Sequence, residues 1–274
     1  MFLKPTKMAA DASSATLYIE KDTVTIQYIG DQYHPLFIRN GDDTVSFNYT
    51  TESVMFESTS ENMLNGWMLT PKDVQPKATI LFFHGNSGFL TSQHWAMTRL
   101  LKYGFQVFAV DYSGYGFSEG KATRKNVLKD GNSALKYLKS RADLGDTKVI
   151  IYGQSLGGHL AAVVAGQNED DIDGLVIEGA FSSHKDIGIE FAGFLGRIFV
   201  KEQYSAIESI PHFHKPTLII HSTEDDVIPF KLGEKIYEHA NQPKELYQIE
   251  GCHICGSRLY SEEIAGKILK MLDL

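Results

Sequence analysis

A glycine-flanked serine near the middle of the chain is the residue best placed to do chemistry. Residues 148–152 form an apolar run, which is followed by Gly153-Gln154-Ser155-Leu156-Gly157-Gly158 and a series of small residues. This pattern predicts a buried strand and then a helix. A serine on a sharp strand-to-helix turn, with glycines leaving room around it, forms a nucleophile elbow. The same five letters also arise by chance in glycine-containing loops, but the flanking strand and helix favour Ser155 as a catalytic nucleophile.

A serine nucleophile needs a base, and the base needs a carboxylate to orient it. In this arrangement the acid and the histidine follow the serine in that order. We predict Asp225 as the acid, after a strand at 216–221, and His253 as the base, after a strand at 244–249. Glu224 and Asp226 remain alternative acids, because such a cluster can also form a solvated turn or helix cap. The alternative bases lie near strand ends or in a candidate cap: His84, His184, His212, His214 and His221.

The segment before the elbow carries a candidate oxyanion hole. An apolar strand at 79–83 runs into His84-Gly85-Asn86-Ser87-Gly88. Attack on an acyl carbon places negative charge on oxygen, and backbone N–H groups stabilise that charge. We predict that the N–H groups of Asn86 and Leu156 supply this stabilisation. The alternative is an ordinary glycine turn.

These motifs together resemble the α/β-hydrolase superfamily. The resemblance rests on Phe82-Phe83-His84-Gly85-Asn86, on 111–118, on the elbow, on His221-Ser222-Thr223-Glu224-Asp225 and on Gly251-Cys252-His253. It is closest to small single-domain serine hydrolases, among which are esterases, monoacylglycerol-lipase-like enzymes and depalmitoylating thioesterases. Such enzymes usually carry glycine at position 222 and a polar residue after the histidine, where this chain has Ser222 and Ile254. The resemblance implies a mostly parallel eight-stranded sheet with helices on both faces, antiparallel N-terminal strands and a small cap between strands 6 and 7.

The order of apolar segments also predicts an α/β fold. Segments 16–29 and 45–58 alternate like antiparallel strands, 65–69 adds another, and all three are expected at the leading edge of the sheet. From residue 78 onward, strands at 79–83, 106–110, 148–152, 174–178, 216–221 and 244–249 alternate with helical stretches, which is typical of a parallel sheet covered on both faces. Segment 111–118 is interpreted as a structural turn and not as part of the catalytic set.

Composition limits the alternatives. The 274 residues, 43% of them hydrophobic, suffice for a single domain spanning 1–274. A net charge of −8 with no basic run argues against nucleic acid as a partner. No segment has the roughly 20 apolar residues of a membrane span, and residues 1–5 do not form a secretory signal. We therefore expect a soluble, cytoplasmic chain, or a periplasmic or membrane-anchored one if a signal or anchor has been trimmed, because residues 2–7 resemble the mature start of anchored relatives.

The long connection between the strands at 174–178 and 216–221 predicts a cap at 181–212. Its aromatic and aliphatic residues could line an acyl pocket. Phe89 and Trp95, which follow the predicted oxyanion loop, could form another wall of that pocket. The predicted substrate-binding residues are Phe89, Trp95, Phe181, Phe191, Phe194 and Leu195. A helix that packs on the core would have the same pattern and is an equal alternative.

The predicted function is hydrolysis of a carboxylic ester or thioester, with no cofactor and no metal. The substrate is predicted to be a small molecule with a short or medium acyl chain, and a lipid-derived substrate is one option. Cys252-x-x-Cys255 around His253 lacks the second half of a zinc site, while a disulfide there would be expected to displace the histidine. The alternatives are a serine peptidase or amidase, an acyltransferase, and a catalytically silent ligand-binding protein of the same fold.

Overall fold

The computed structural model describes residues 3–19, 22–39 and 43–274, and the side chains at positions 18, 19, 22, 194 and 197 lie outside this description. Twelve strands form within these residues: β1 Ser14–Ile19, β2 Asp22–Ile29, β3 His34–Arg39, β4 Asp43–Thr44, β5 Tyr49–Glu57, β6 Met63–Pro71, β7 Ala78–Phe83, β8 Phe105–Val110, β9 Lys148–Gln154, β10 Gly174–Glu178, β11 Thr217–Ser222 and β12 Lys244–Ile249. The α-helices of the same residues are α1 Leu90–Thr98, α2 Arg124–Lys139, α3 Leu156–Gln167, α4 His184–Phe199, α5 Ala206–Ser209, α6 Phe230–His239, α7 Gly256–Leu259 and α8 Ser261–Met271.

Eight strands form the central sheet in the order β12-β11-β10-β9-β7-β8-β6-β5. The six strands from β12 to β8 are parallel, while β6 pairs antiparallel with β8 and β5 antiparallel with β6. Strands β7, β8 and β11 are buried at every position, which explains why they read as nearly continuous apolar runs. The predicted fold class, a mostly parallel eight-stranded sheet with antiparallel N-terminal strands, is confirmed.

Helices cover both faces of this sheet and define two cores. One core packs residues of α2, α3 and α6 against β7 and β9, and includes Val127, Leu160 and Ile236. The other packs α1 and α8 against the opposite face, and includes Met97 and Ile264. Because parallel strands end at one edge, the loops after β7, β9, β11 and β12 are carried to the same side of the molecule.

The prediction that segment 16–29 lies at the edge of the central sheet is wrong. Its described residues form β1 and β2, which pair with β3 and β4 in a separate four-stranded antiparallel sheet. Leu17, Val24, Ile26 and Phe37 of this small sheet pack into the core that contains α1 and α8. Alternation identifies a half-buried strand, but it does not identify the surface that the strand covers. Segment 45–58 does reach the edge of the central sheet, as β5 over Tyr49–Glu57.

The connection between β10 and β11 contains α4, α5 and a single 3-10 turn at Ile210–His212. Helix α4 is interrupted at Gly193, which has φ 53° and ψ −139°. Four large side chains of α4 are strongly exposed: Phe191, Leu195, Ile198 and Phe199. Among the helices of the described chain, none has both the length and the apolar character needed to cross a bilayer.

Candidate active site

The elbow serine adopts a backbone conformation that only a tightly packed turn can hold. Ser155 lies between β9 and α3 with φ 55° and ψ −116°, in the region that favours glycine. A Cβ at Gly153 would lie 2.1 Å from the carbonyl oxygen of Gly157, and a Cβ at Gly157 would lie 2.0 Å from that of Phe83. Both glycines are therefore required by close backbone approach, and the predicted pattern has a steric cause.

His253 and Asp225 form a direct pair. His253 Nδ1 lies 2.7 Å from Asp225 Oδ2, although the two residues are 28 positions apart. Asp225 lies in the turn after β11 and His253 in the turn after β12. Of the three neighbouring acids, Asp225 contacts the histidine, whereas Glu224 accepts a hydrogen bond from the N–H of Gly251 and Asp226 is exposed.

The carboxylate of Asp225 is inaccessible to solvent and is held by several donors. The N–H groups of Val227 and Ile228 donate to its Oδ1 at 2.9 and 2.7 Å. Burial acts to raise the pKa of Asp225, but hydrogen bonds from His221 and His253 outweigh it and hold the pKa well below its usual range. An Asp225 that is ionised at neutral pH can therefore orient the His253 imidazole and stabilise its protonated form.

Ser155 and His253 both lie beside the end of β10. The Ser155 N–H donates to the carbonyl of Glu178 at 2.8 Å. The next residue, Gly179, has φ 58°, and a Cβ there would lie 3.3 Å from Nδ1 and Cε1 of His253. Within the described residues, the Ser155 hydroxyl makes no capping hydrogen bond to α3. Hydrogen bonds between a catalytic residue and its partner are often long or poorly aligned until substrate binds.

Glu178 is a site residue that sequence reasoning missed. It is 1% exposed, and its Oε2 accepts hydrogen bonds from the Tyr152 hydroxyl and the Gln154 side chain, each at 2.7 Å. Its Oε1 accepts the N–H of Gly256, also at 2.7 Å. Gln154 precedes Ser155 and Gly256 follows the His253 turn, so one buried carboxylate links the two loops that carry the predicted nucleophile and base. A glutamate at the end of a predicted strand carried no signal of this role.

The predicted oxyanion loop lies beside the nucleophile. A Cβ at Gly85 would lie 3.6 Å from the Cβ of Ser155. Leu156 is the first residue of α3, so its N–H has no partner within the helix and points from the positive end of the helix dipole. Asn86 is buried in the neighbouring loop. The structure thus brings Leu156 and the Asn86 loop to the same side of Ser155.

Two tyrosines of segment 111–118 fix the backbone of this loop. The Tyr112 hydroxyl donates to the carbonyl of His84 at 2.9 Å, and the Tyr115 hydroxyl donates to that of Asn86 at 3.0 Å. Asp111 accepts the N–H of Leu90 at 3.0 Å. These contacts orient the loop without contacting Ser155, consistent with the structural interpretation of the segment.

Residues 3–8 lie along the oxyanion loop, which the sequence did not indicate. The Lys4 N–H donates to Asn86 Oδ1 at 3.1 Å. Further along, Gly116 donates its N–H to Thr6 and accepts that of Met8, both at 2.8 Å. Leu3 packs against the buried cluster that contains Leu156. The start of the described chain therefore covers part of the loop that is predicted to bind the oxyanion.

The predicted pocket residues lie in different environments. Phe181 is fully buried beside Leu156, and Phe89 is buried at the start of α1. Trp95 packs on the other face of the sheet, with the core of α1 and α8. Phe191 and Leu195 are 65% and 60% exposed, and the side chain of Phe194 lies outside the described residues. An acyl pocket made from all six residues stays a prediction.

The histidines that were alternative bases have other environments than that of His253. His84 is buried, with its Nε2 3.3 Å from Asp111, and His212 and His214 are exposed. His221 is buried, and its Nε2 lies 3.5 Å from Asp225 Oδ2. It therefore contacts the same carboxylate oxygen as His253. His184 belongs to a separate cluster.

Comparisons with known proteins identify the family. A family model described as serine aminopeptidase, S33, matches residues 74–207. The YfhR protein of Escherichia coli O157:H7 is 32% identical over 238 residues, which are 82% of this chain and 83% of that protein. The chain belongs to the α/β-hydrolase superfamily.

Other α/β-hydrolases match over less of their length or only in fold. The alpha/beta hydrolase domain-containing protein aho-3 of Caenorhabditis elegans is 35% identical over 63% of this chain and 51% of its own length. The structure of the Pyrococcus furiosus esterase Pf2001 superimposes with a TM-score of 0.67 and 20% identity, covering 82% of this chain and 92% of that one.

This α/β-hydrolase departs from the usual superfamily pattern at the acid and histidine turns. The Ser222 hydroxyl donates to the carbonyl of Gly251 at 2.5 Å, so it links the acid turn to the histidine turn. Cys252 is exposed and Cys255 is buried, and both are free thiols. The Cys255 Sγ donates to the carbonyl of Cys252 at 2.8 Å. Burial raises the pKa of Cys255 to about 12, so this thiol is protonated and unreactive at neutral pH.

Proposed function

We propose that this α/β-hydrolase cleaves carboxylic ester or thioester bonds through an acyl-enzyme intermediate. Ser155 is the nucleophile, His253 the general base and Asp225 the residue that orients the base. The observation that carries the proposal is the 2.7 Å contact between His253 Nδ1 and Asp225 Oδ2, at the sheet edge where the strained Ser155 ends β9. The esterase named among the structural neighbours supports the same reaction class.

The geometry suggests how the reaction proceeds. With its Nδ1–H held by Asp225, His253 has the lone pair of Nε2 left to take the proton of Ser155. The Ser155 oxygen then bonds to the acyl carbon, and the N–H groups of Leu156 and Asn86 stabilise the negative oxygen. His253 returns the proton to the leaving alcohol or thiol. Water repeats the sequence on the acyl-serine, releases the carboxylic acid and restores Ser155.

The direct test is fluorophosphonate labelling together with hydrolysis of p-nitrophenyl esters from acetate to palmitate. Wild type should be labelled and should turn over esters. Ser155→Ala should lose labelling and about 10⁴-fold or more of kcat while remaining folded. The same assays apply to Asp225→Asn. Its matched control is Asp226→Asn, because Asp225 contacts His253 whereas Asp226 is exposed. Absence of labelling in wild type would instead support a catalytically silent binding protein.

An aminopeptidase is the second candidate, favoured by the description of the matching family model. Both reactions pass through an acyl-serine, so labelling does not distinguish them. The two reactions are distinguished by assaying amino-acid p-nitroanilides and p-nitrophenyl esters on the same preparation. A kcat/KM for the anilides that exceeds the value for every ester would overturn the ester proposal and retain the triad.

A further inference from the structure

Two buried histidines and a glutamate converge on one point beside α3. His159 is on α3, His184 begins α4, and Glu202 follows α4. The two histidines are 0% and 1% exposed, and the side chain of Glu202 is 14% exposed. One nitrogen or oxygen atom from each residue lies within 4.8 Å of those from the other two. Within the described residues, this is the group of histidine, cysteine and acidic side chains with the spacing of metal ligands.

Both ring nitrogens of His159 face backbone carbonyl oxygens, but only one of them can carry a hydrogen in the neutral ring. Nδ1 lies 2.9 Å from the carbonyl oxygen of Phe181, and Nε2 lies 3.3 Å from that of Tyr204. A neutral imidazole carries a single N–H. The shorter contact assigns that hydrogen to Nδ1. The lone pair of Nε2 then faces the lone pairs of the Tyr204 carbonyl, a repulsive contact that a cation between them would turn into an attraction.

The same carbonyl completes a set of four donor atoms. His184 Nδ1 lies 3.2 Å from the Tyr204 oxygen and 2.8 Å from Glu202 Oε1. A tetrahedral zinc ion with ligands at 2.0–2.2 Å requires its ligands to be about 3.3–3.6 Å apart. The separation between His159 and Tyr204, 3.3 Å, meets this requirement, and that between His184 and Tyr204, 3.2 Å, is just below it. The separation between His184 and Glu202 is about half an ångström short of it.

The partners around these ligands are those of a metal site. The hydrogen bond from His159 Nδ1 to a backbone carbonyl is the contact that fixes a ligating histidine in the correct tautomer. Glu202 is oriented by the N–H groups of His184 and Lys185, each at 3.0 Å. The partial exposure of Glu202 provides a path for an ion to enter.

We propose that His159 Nε2, His184 Nδ1, Glu202 Oε1 and the Tyr204 carbonyl bind one Zn²⁺ ion. The ion is structural and takes no part in the proposed hydrolysis. It joins both ends of the segment that contains α4 to the helix that begins at the nucleophile. Two imidazoles, a carboxylate and a carbonyl are ligands suited to zinc, and the absence of thiolate makes cuprous copper or an iron–sulfur cluster a poor match.

The test is a calorimetric titration of the untagged full-length chain with Zn²⁺, after removal of metal with a chelator. We expect one equivalent of zinc to bind. The affinity should fall by at least about tenfold in Glu202→Gln and in His184→Gln, because each loses a ligand. His214→Gln is the matched control, since His214 pairs with Glu169 at 3.3 Å on the surface. It should bind zinc as wild type does.

A second measurement does not depend on the folding of any variant. Co²⁺ bound to wild type should show the visible bands of a tetrahedral site without the thiolate charge-transfer band that Cys252 or Cys255 would add. Cys252→Ser should bind zinc unchanged. Failure of wild type to bind Zn²⁺, equal affinity in wild type and Glu202→Gln, or a thiolate band would overturn the proposal. The first result would leave His184 and Glu202 as a buried ion pair only.

Discussion

Replacing Ser155 by glycine should abolish activity and stabilise the fold. The residue has φ 55° and ψ −116°, and a residue other than glycine in such a region costs about 1–3 kcal/mol. Glycine removes that cost but adds about 0.5–1 kcal/mol of conformational entropy that must be lost on folding. The net gain is therefore about 1 kcal/mol relative to Ser155→Ala, which keeps the strained Cβ.

Ser155→Ala is the appropriate reference, because the hydroxyl contributes little to the fold. The Ser155 side chain makes no capping hydrogen bond to α3, and both variants lose the hydroxyl equally. For a domain of this length, 1 kcal/mol corresponds to about 2 °C in Tm. Urea unfolding followed by circular dichroism, with calorimetry alongside, can resolve a difference of that size.

The control pair is Ser205→Gly and Ser205→Ala. Ser205 is also a helix N-cap without a side-chain capping bond, but its φ is −142°. At an N-cap without strain, glycine is already favoured over alanine by up to about 1 kcal/mol, so the difference within this pair is the baseline that the Ser155 pair must exceed. If Ser155→Gly proves no more stable than Ser155→Ala, the elbow stores no strain, and the reasoning from backbone conformation to nucleophile is refuted.

Three further perturbations follow from the same contacts. Gly157→Ala places a Cβ 2.0 Å from a backbone oxygen. It should lower the free energy of unfolding by about 1–3 kcal/mol and stop fluorophosphonate labelling. The control is Gly266→Ala, whose Cβ would have nothing within 4 Å and which should stabilise the chain. Glu178→Gln removes one acceptor from a buried group that receives three hydrogen bonds. It should lower the free energy of unfolding in urea by about 1–3 kcal/mol and lower kcat more than it changes KM. An unchanged kcat would show that Glu178 does not position the loops of Ser155 and His253. The folded pKa of Asp225 is below its unfolded value of about 4, so its stabilisation is complete above that pH and is lost as pH falls. The difference in unfolding free energy between wild type and Asp225→Asn should therefore shrink below about pH 4, and a constant difference would contradict the lowered pKa.

The elbow could be predicted from sequence because its requirements are local. Gly153 and Gly157 are needed for contacts within a few residues of Ser155 and with the adjacent strand β7. The parallel strands were predicted because burial on both faces makes each of them apolar throughout. The place of the N-terminal strands was not, because they pack against α1, which is far away in the chain.

The polar supports of the site could not be predicted for a related reason. The contact between Glu178 and Gly256 joins residues 78 positions apart, and that between His159 and Tyr204 joins residues 45 apart. Neither pair has a characteristic spacing or composition. Asp225 and His253 could be singled out as candidates only because chain order and position after a strand restrict the choice of acid and base.

The segment that ends β10 connects the supports that sequence reasoning missed. The Glu178 carbonyl holds the N–H of Ser155, its carboxylate holds the turn after His253, and the next residue, Gly179, packs against that imidazole. A few residues later the carbonyl of Phe181 orients His159, on the helix that begins at the nucleophile. Nucleophile, base and the candidate zinc cluster therefore share one short stretch of backbone. A change in how the α4 segment is attached at His159 should reach Ser155 through α3 and β10 directly, without passing through the acid loop.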